Sequence, residues 1–352
     1  MKRDALSATD MIRVEPLADK ESAQWEAFVD RCPEATFFHR IGWKSIMEEV
    51  FRHRTHYLVA KRGEEWLGVL PLAENKSLLF GHSLVSLPFC VYGGCASIDP
   101  DATRALHRHA EALGRTLGAS FLELRNIEQR EAAWPQQDLY VTFRKKLEAE
   151  DEANMLAIPR KQRAMVRKGI KNDLLSHIDP TTDRFFALYA DNVHRHGTPA
   201  LSRRYFETLM RVFGKDCEVL TVTDAQGMPL SSVLSFYFRD EVLPYYAGDD
   251  ARARETAAND FKYWELMRRA RERGCGVFDY GRSKIGTGSY DFKKNWGFEP
   301  APLHYEYALY KTDGVPQNNP LNPKYRAFIA LWRKLPIGVA NALGPHIVRS
   351  LG

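Results

Sequence analysis

The sequence predicts an α/β (α+β) fold in two similar halves, each a mixed sheet flanked by helices. An order of helix, three strands, helix and strand occurs twice along the 352 residues. At an offset of 156 residues, Leu87-Pro88 matches Leu243-Pro244, Gly118 matches Gly274, and Glu123 matches Asp279. Three matches at one offset within equivalent elements indicate an internal duplication.

Bulk composition predicts a soluble globular protein with room for two cores. Hydrophobic residues make up 44% and charged residues 27% of the chain, which are ordinary values. The net charge of +5 is compatible with an anionic ligand or a membrane surface. Five cysteines without a Cys-x-x-Cys pair predict free thiols in a reducing cytoplasm. We expect no secretion signal and no membrane-spanning helix, because no apolar run approaches ~18 residues.

The first half is taken as residues 1–150, of which the first ten are predicted to be disordered. Helices are predicted at Ala23–Cys32, from Phe37 to about Val50, and at Asp101–Leu117. Strands are predicted at Ile12–Leu17, His56–Lys61, Trp66–Ala73, Ser77–Leu79, Leu84–Leu87, Val91–Gly94 and Phe121–Arg125. Pro33 stops the first helix and Gly118 ends the last, which fixes the borders of these elements.

The second half is taken as residues 151–312, and residues 313–352 as a separate amphipathic helical tail. Helices are predicted near Thr182–His194, at Ser202–Phe213 and from about Ala258 to Arg273. Strands are predicted at Cys217–Thr223, Leu230–Phe238, Leu243–Gly248 and Val277–Tyr280.

A basic stretch, Ile158–Lys171, lies near the start of the second half, before its predicted sheet. On a helix, Arg160, Arg163, Arg167 and Lys171 form one stripe, and Lys161 and Lys168 flank it. The plain interpretation is a solvated linker helix. The functional interpretation is a surface that binds the phosphates of a substrate or RNA, or lipid headgroups. Like charges at this spacing repel one another unless an anion neutralises them.

The stretch Phe278–Phe298 carries the strongest functional pattern in the chain. A short strand breaks into a polar loop in which Gly281, Gly286 and Gly288 permit close backbone approach or positive φ. Four cations follow within thirteen residues, with only Asp291 between them: Arg282, Lys284, Lys293 and Lys294. A loop of this kind after a strand predicts a site for an anionic substrate. A solvated basic turn is the alternative.

Several longer motifs accompany this loop: Ile158–Gly169, His194–Pro199, Asn259–Met267, Asn319–Tyr325 and Trp332–Pro336. Together with the loop they resemble the FemAB family in its exosortase A / PEP-CTERM-associated branch, most closely over the last two hundred residues or so. The resemblance implies a tandem GNAT (Gcn5-related N-acyltransferase) fold. It also implies a role near exopolysaccharide assembly and exosortase-linked protein sorting. FemAB proteins transfer an aminoacyl group from charged tRNA to a peptidoglycan precursor.

In a GNAT fold the central strand splays from its neighbour and receives the acyl donor, which here points to Tyr245 on the strand Leu243–Gly248. The alternative for this tyrosine is core packing. The following turn, Gly248–Glu255, lacks the Arg-x-x-Gly-x-Gly pattern of acyl-CoA sites and begins with two acids. This departure weakens a CoA assignment, although Arg252 and Arg254 could still reach a phosphate. We therefore leave the donor open between acyl-CoA and aminoacyl-tRNA.

Acyl transfer to an amine needs a proton acceptor and donors for an oxyanion. Asp279, Lys284 and Tyr290 are the predicted catalytic residues: the acid orients the amine or takes its proton, and the tyrosine donates to the oxyanion. A structural Asp–Arg pair is the alternative for Asp279. The predicted substrate-binding residues are Arg160, Lys161, Arg167, His194, His196, Tyr245, Arg282, Lys293 and Lys294.

The two histidines have no acid or cysteine at ligand spacing, so we predict no metal. They line an acceptor pocket or simply interact with the helix dipole. The tail from Pro323 onward combines apolar residues, cations and Trp332. It is expected either to dock on the protein or to lie on the inner face of the cytoplasmic membrane.

Three hypotheses for function follow. The first is an acyl- or aminoacyltransferase that forms an amide on an anionic cell-envelope precursor, nucleotide-linked or lipid-linked, with charged tRNA as a partner and no DNA. The second is an acyl-CoA-dependent N-acyltransferase acting on an amino sugar. The third is a non-catalytic adaptor that holds an envelope-assembly complex at the membrane surface. CoA binding separates the first two, and loss of function on changing Arg282 or Lys284 separates both from the third.

Overall fold

The computed structural model describes residues 11–77, 81–316 and 323–350. The predicted N-terminal lead, two residues of the predicted strand Ser77–Leu79 and most of the motif Asn319–Tyr325 lie outside the described residues. The chain divides into two compact units. Unit 1 comprises the residues up to Asp138 together with Leu303–Pro316, and unit 2 comprises Leu139–Pro302 together with the C-terminal helices.

The described strands are β1 (Ile12–Pro16), β2 (Thr55–Arg62), β3 (Glu65–Ser77), β4 (Gly81–Val85), β5 (Ala96–Ser97), β6 (Phe121–Asn126), β7 (Gln136–Gln137), β8 (Tyr140–Lys146), β9 (Leu175–Asp179), β10 (Cys217–Thr223), β11 (Pro229–Phe238), β12 (Glu241–Asp249), β13 (Val277–Asp279), β14 (Ser283–Lys284), β15 (Pro300–Pro302) and β16 (His304–Leu309).

The described α-helices are α1 (Ser22–Arg31), α2 (Gly42–Ile46), α3 (Pro100–Leu117), α4 (Asp151–Ala157), α5 (Arg160–Lys171), α6 (Asp183–Arg195), α7 (Arg203–Phe213), α8 (Ala253–Thr256), α9 (Ala258–Glu272), α10 (Gly288–Asn295), α11 (Pro323–Trp332) and α12 (Ile337–Val348).

Each unit is built on one mixed sheet. The order in unit 1 is β1-β2-β3-β4-β6-β16-β7, with β5 beside β3, and only β4 and β6 run parallel among the described pairs. The order in unit 2 is β14-β8-β13-β12-β11-β10-β9, with β15 beside β8, and β12 and β13 are its parallel pair. The two sheets repeat one pattern, as the duplication predicted.

The two units exchange a strand. β8 lies at the end of the first half of the sequence but pairs with β13 in unit 2. β16 lies at the end of the second half but pairs with β6 in unit 1. The expected borders at residues 150 and 312 therefore differ from the borders of the compact units, because strand pairing takes precedence over sequence order.

Long helices cover each sheet and bury apolar residues at helical spacing. In unit 1, α3 presents Ala102, Leu106 and Ala110 to the core. It begins under an Asp99 cap and ends at Gly118, which has φ of 71°. In unit 2, α9 buries Trp264, Met267 and Ala270 among their neighbours, while α5 contributes Val166.

Two local predictions are wrong. The helix expected from Phe37 to Val50 is divided into a 3₁₀ turn at Phe37–His39, the short α2, and a π-helical turn at Met47–Phe51. His39 interrupts the run, because its carbonyl accepts from Trp25 and its Nε2 lies 2.8 Å from the Gly94 carbonyl. The strand expected at Val91–Gly94 is a buried turn.

Candidate active site

The parallel strands β12 and β13 of unit 2 separate after two residue pairs. Glu241 pairs with Val277 and Val242 with Phe278. Among the described residues the pairing ends there, although β12 continues to Asp249. Diverging carboxyl ends of parallel strands form the crevice in which α/β proteins bind ligands. We call this crevice, with the loop of residues 280–287 that follows β13, the strand gap.

A β-bulge distorts β12 beside the strand gap. Leu234 pairs with Tyr246 but Ser235 pairs with Pro244, which leaves Tyr245 as the extra residue. A bulge leaves a backbone group outside the ladder and re-aims the side chain. The Tyr245 ring packs 5.2 Å from Phe236, and the Tyr246 hydroxyl lies 3.0 Å from that of Tyr205. The side chain of Tyr245 thus packs against a neighbouring ring, as in the alternative interpretation above. Its backbone lies on the strand that borders the strand gap.

Asp279 ends β13 with its side chain fully buried. Its Oδ1 accepts from the Gly281 N–H at 2.7 Å, and its Oδ2 lies 3.5 Å from Nε of Arg144. Gly281 has φ of 64°, a conformation that glycine adopts without strain. The carboxylate therefore shapes the turn into the loop and has an arginine partner. That partner is Arg144 of β8, which the sequence did not single out.

Lys293 lies on α10 beneath the loop and is 9% exposed. Its ammonium donates to the carbonyls of Tyr280, Gly281 and Arg282 at 2.7, 3.0 and 3.1 Å. Burial lowers its pKa to about 7, against the attraction of Asp279. These three contacts hold the backbone of the loop, and the substrate-binding role of Lys293 stays a prediction.

Three buried polar atoms of the loop region have no hydrogen-bond partner among the described residues. They are Tyr280 Oη, Ser283 Oγ and Lys284 Nζ. Buried polar groups in native proteins are nearly always paired, and an unpaired amine is among the costliest exceptions. Each such atom is a candidate contact for a ligand or water, which would complete its bonds. Lys284, predicted from its sequence position, is one of these groups.

The remaining predicted residues of this region stack on aromatic rings. Arg282 lies 4.4 Å from the centre of the Tyr140 ring. Lys294 is exposed and lies 5.6 Å from the ring of Tyr290. The Tyr290 ring in turn meets Phe143 edge-on at 5.5 Å. The expected polar loop is half helix, because Thr287 caps α10 by accepting from the Tyr290 N–H.

The turn after β12 is internally neutralised. Asp249 accepts from the fully buried Lys262 at 3.0 Å. Asp250 accepts from both the backbone N–H and Nε of Arg252, at 3.0 and 2.7 Å. Burial acts to raise the pKa of Asp250, but these bonds outweigh it and the pKa is lowered. Carboxylates thus occupy donors that a pyrophosphate would need.

The predicted basic stripe forms one exposed face of α5. Gln162, Val166 and Gly169 face inward. Arg163 folds back onto the carbonyls of Leu156 and Ile158. Five exposed cations have no carboxylate within 4.0 Å among the described residues: Arg160, Lys161, Arg167, Lys168 and Lys171. This face remains available to an anion.

The histidine motif contacts the C-terminal helices. His194 Nε2 lies 3.0 Å from the Leu335 carbonyl, and the His196 carbonyl accepts from Arg333 at 3.4 Å. A side chain on Gly197 would come within 2.5 Å of Ile329. These contacts help to hold the tail, and the acceptor-pocket role of the two histidines stays a prediction.

Comparison with known families matches residues 157–294 to the family described as Acetyltransferase (GNAT) domain. The strand gap, α5 and the loop all lie within the matched residues. This part of the chain is a GNAT-fold acyltransferase domain. Comparison with curated proteins gives no match.

Solved structures share the fold over most of the chain. FemX superposes with a TM-score of 0.62 at 15% identity, over 84% of this chain and 97% of FemX. The C-terminal domain (DUF2156) of a putative lysylphosphatidylglycerol synthetase from Agrobacterium fabrum gives 0.56 at 13%, over 84% and 93%. A tandem GNAT protein from the clavulanic acid biosynthesis pathway gives 0.54 at 14%, over 87% and 100%. The predicted tandem GNAT fold is confirmed.

Asp260 of the GNAT domain was missed by the sequence reasoning. Its Oδ1 accepts from Gln162 of α5 at 2.9 Å and from Trp296 at 3.1 Å. Burial raises its pKa, although these two donors oppose the shift. Asp260 therefore joins three of the motifs that carry the FemAB resemblance. Its position in Asn259–Met267 was the available clue.

The described residues outside the GNAT domain offer no competing site of clear chemistry. A cavity of about 620 Å³ in unit 1 is lined by Glu34, Arg104 and Arg130, among others. Its arginines are already paired, Arg130 with Glu34 at 2.7 Å and Arg104 with Asp101. In the described ranges we find no group of three or more potential metal ligands and no helix long and apolar enough to span a membrane.

Proposed function

We propose that this protein is an aminoacyltransferase that forms an amide bond on an anionic cell-envelope precursor. The turn after β12 carries this proposal. In an acyl-CoA enzyme its backbone donors would hold pyrophosphate. Here the Asp250 carboxylate accepts hydrogen bonds from the backbone N–H and the guanidinium of Arg252. The Asp249 carboxylate accepts one from the Lys262 ammonium. A donor that does not place a pyrophosphate at this turn, such as aminoacyl-tRNA, suits this charge pattern better.

The reaction is a direct transfer within a ternary complex. The acceptor amine attacks the ester carbonyl of the aminoacyl donor, and a C–N bond forms in a tetrahedral intermediate. The C–O bond to the ribose then breaks, and the proton lost by the amine goes to the departing ribose oxygen. This route needs donors for the oxyanion and a route for one proton. It needs no covalent enzyme intermediate.

The strand gap supplies groups for these tasks. The β-bulge at Tyr245 follows the point where β12 and β13 separate, and we place the donor carbonyl beside this distorted backbone. Lys284 brings an unpaired buried ammonium, which would pair with a phosphate of the acceptor. Asp279 orients the loop through Gly281, and the Tyr290 hydroxyl is the proposed second donor to the oxyanion.

The exposed cations of α5 extend the proposal to the donor. Arg160, Lys161 and Arg167 face solvent on one side of a helix that Asp260 fixes to the rest of the GNAT domain. An exposed row of lysines and arginines is suited to a phosphate backbone. We assign this face to the tRNA. The link to exopolysaccharide assembly and protein sorting rests on the family resemblance alone.

An acyl-CoA-dependent N-acyltransferase is the second candidate. The match of residues 157–294 to an acetyltransferase family favours it. The fold similarity to the tandem GNAT protein of the clavulanic acid pathway, which was solved without AcCoA, points the same way. The lysylphosphatidylglycerol synthetase domain, named for an aminoacylated lipid, favours the first candidate in the same measure.

The deciding experiment offers both donors to the purified full chain. Calorimetric titration measures acetyl-CoA binding. A transfer assay with a pool of radiolabelled aminoacyl-tRNAs measures label incorporated into a UDP-linked amino-sugar peptide precursor. We expect transfer from tRNA and no saturable CoA binding. Saturable CoA binding without transfer from tRNA would overturn the proposal in favour of the second candidate.

Lys284→Met tests the site. Removing an unpaired buried amine is expected to leave the fold intact or raise its stability by about 1–3 kcal/mol, while transfer falls by about 100-fold. Lys146→Met, an exposed lysine on β8, is the matched control and should keep full activity. Full biological function of a Lys284→Met chain would instead support the adaptor hypothesis.

A further inference from the structure

Helices α11 and α12 expose a cluster of large apolar side chains. Of the thirteen such side chains that are exposed in the described residues, five lie within residues 328–343. They are Phe328, Leu331, Ile337, Val339 and Leu343, which we call the apolar tail surface. Leu331 is 65% and Leu343 is 48% exposed. Scattered exposed apolar residues are ordinary, but a concentration of this kind marks an interaction surface.

The opposite side of the same helices is firmly docked on unit 2. Ala340 and Gly344 are buried one helical turn apart, and a side chain on Gly344 would come within 2.9 Å of the Ala200 carbonyl. Trp332 is buried as well, and His194 contacts the Leu335 carbonyl. The apolar tail surface is therefore the outer side of an anchored element, and the unit's own packing leaves it facing solvent.

Charge accompanies the apolar side chains. Residues 323–352 contain no Asp or Glu, and their cations are Lys324, Arg326, Arg333, Lys334 and Arg349. Arg333 and Lys334 are exposed at the junction of α11 and α12. Apolar side chains flanked by lysine and arginine are the pattern of helices that lie in the interface of a membrane with anionic lipids.

We propose that α11 and α12 dock this protein on an anionic lipid bilayer. The apolar tail surface enters the boundary between headgroups and acyl chains, and Lys334 and Arg333 meet the lipid phosphates. The helices lie on the bilayer, and neither is long enough to cross it. The inference goes beyond the proposed function and holds whichever acyl donor the GNAT domain uses.

A second copy of the chain is a poorer occupant of this surface. A twofold contact places the same patch on both subunits. It would therefore bring two clusters of cations together with no acid from residues 323–352 between them. The anionic headgroups of a bilayer attract the same lysines and arginines, and we therefore favour lipid as the occupant.

Vesicle flotation of the full chain tests the proposal. Vesicles of mixed phosphatidylglycerol and phosphatidylcholine are compared with vesicles of phosphatidylcholine alone. We expect binding to the mixed vesicles that weakens with added salt. The double variant Leu331→Asp/Leu343→Asp should reduce the partition coefficient by about tenfold or more, because two apolar anchors are lost. Both side chains are exposed, so the variant should keep its melting temperature.

The matched control is Leu175→Asp/Met228→Asp, which changes two comparably exposed apolar residues elsewhere in unit 2. It should bind vesicles like the unchanged chain. Failure of the unchanged chain to float with mixed vesicles overturns the proposal, as does undiminished flotation of Leu331→Asp/Leu343→Asp. Sedimentation of the unchanged chain as a dimer that this variant dissociates would overturn it too, by assigning the surface to a second copy.

Discussion

Unit 1 and unit 2 contain the same parallel strand pair and use it in opposite ways. In unit 1 the space beyond β4 and β6 is filled by Arg125, which is 5% exposed. Its guanidinium donates to the Cys90 carbonyl at 2.7 Å, to the Leu87 carbonyl at 3.2 Å, and to Glu123 at 2.7 Å. In unit 2 the position 156 residues later is Gly281, and a Cβ atom added there would meet nothing within 4 Å. The long arginine side chain of unit 1 thus has no counterpart in unit 2.

The comparison assigns the two units different tasks. The groups that seal unit 1 bond to one another, so its strand pair contributes stability. The strand gap of unit 2 keeps unpaired atoms on Tyr280, Ser283 and Lys284. Unpaired buried groups are destabilising and persist where a ligand completes them. We expect changes in unit 1 to act on stability and changes at the strand gap to act on activity.

Arg125→Met should have the largest effect. It leaves the partly buried Glu123 and two carbonyls without their donor, and breaking a buried pair typically costs about 3–5 kcal/mol. Urea unfolding followed by circular dichroism measures the loss. Arg115→Met, at a more exposed arginine on α3, is the control and should change stability by less than about 0.5 kcal/mol. If Arg125→Met lowers the free energy of unfolding by less than about 1 kcal/mol, the hydrogen bonds of Arg125 do not stabilise unit 1 as proposed.

Gly281→Arg would give unit 2 the residue of unit 1. The Cβ atom of a new side chain would meet no atom within 4 Å, although φ of 64° adds strain of roughly 1 kcal/mol. We expect transfer activity to fall by about 100-fold because the strand gap is filled. Gly281→Asn tolerates the same backbone conformation without filling the gap, and it should stay within about tenfold of the unchanged chain. Equal losses for the two variants would point to backbone strain instead.

The lowered pKa of Lys293 should make the free energy of unfolding depend on pH. Its pKa falls from an ordinary 10.5 to about 7 on folding. Between these values the unfolded chain binds more protons than the folded chain, so the free energy of unfolding should rise with pH across this window. The slope approaches roughly 1.4 kcal/mol per pH unit at most. Lys293→Met removes this contribution. Parallel unfolding curves for the two proteins would show that the ammonium keeps its proton.

Asp99→Ala in unit 1 should have the smallest effect. Asp99 caps α3 by accepting from the Asp101 N–H at 2.7 Å and pairs with Arg62. Loss of a cap costs about 1 kcal/mol. Transfer activity should not change, because the residue serves unit 1 only. A drop in activity at unchanged stability would argue against the division of tasks between the units.

The sequence was sufficient for the repeated elements. Gly118 and Gly274 end the long helices as expected, with φ of 71° and 81°. The sequence singled out Lys284 because a cation in a glycine-rich loop after a strand is a local pattern, and its role in a site stays a prediction. These features depend on neighbours in sequence, which a single sequence displays.

Features that depend on distant pairing were out of reach. The partner of Asp279 is Arg144, and nothing near either residue indicates that β8 would pair with β13. Lys293 looked like a clamp because its charge is visible in sequence, whereas the three carbonyls that occupy it are not. The same holds for the histidine motif, whose partners lie more than a hundred residues away at Leu335 and Arg333.

The exchanged strands bear on how the chain is made. Unit 1 lacks β16 until residues 304–309 have been synthesised, so the edge of β6 stays open during most of translation. Domains that are continuous in sequence fold one after another as they leave the ribosome, but this unit has to wait for almost the entire chain. Pairing between strands so far apart in sequence is slow, and the unpaired edge of β6 can aggregate with other chains in the meantime. Assistance by chaperones during synthesis, and low yields when expression is fast, follow from this topology.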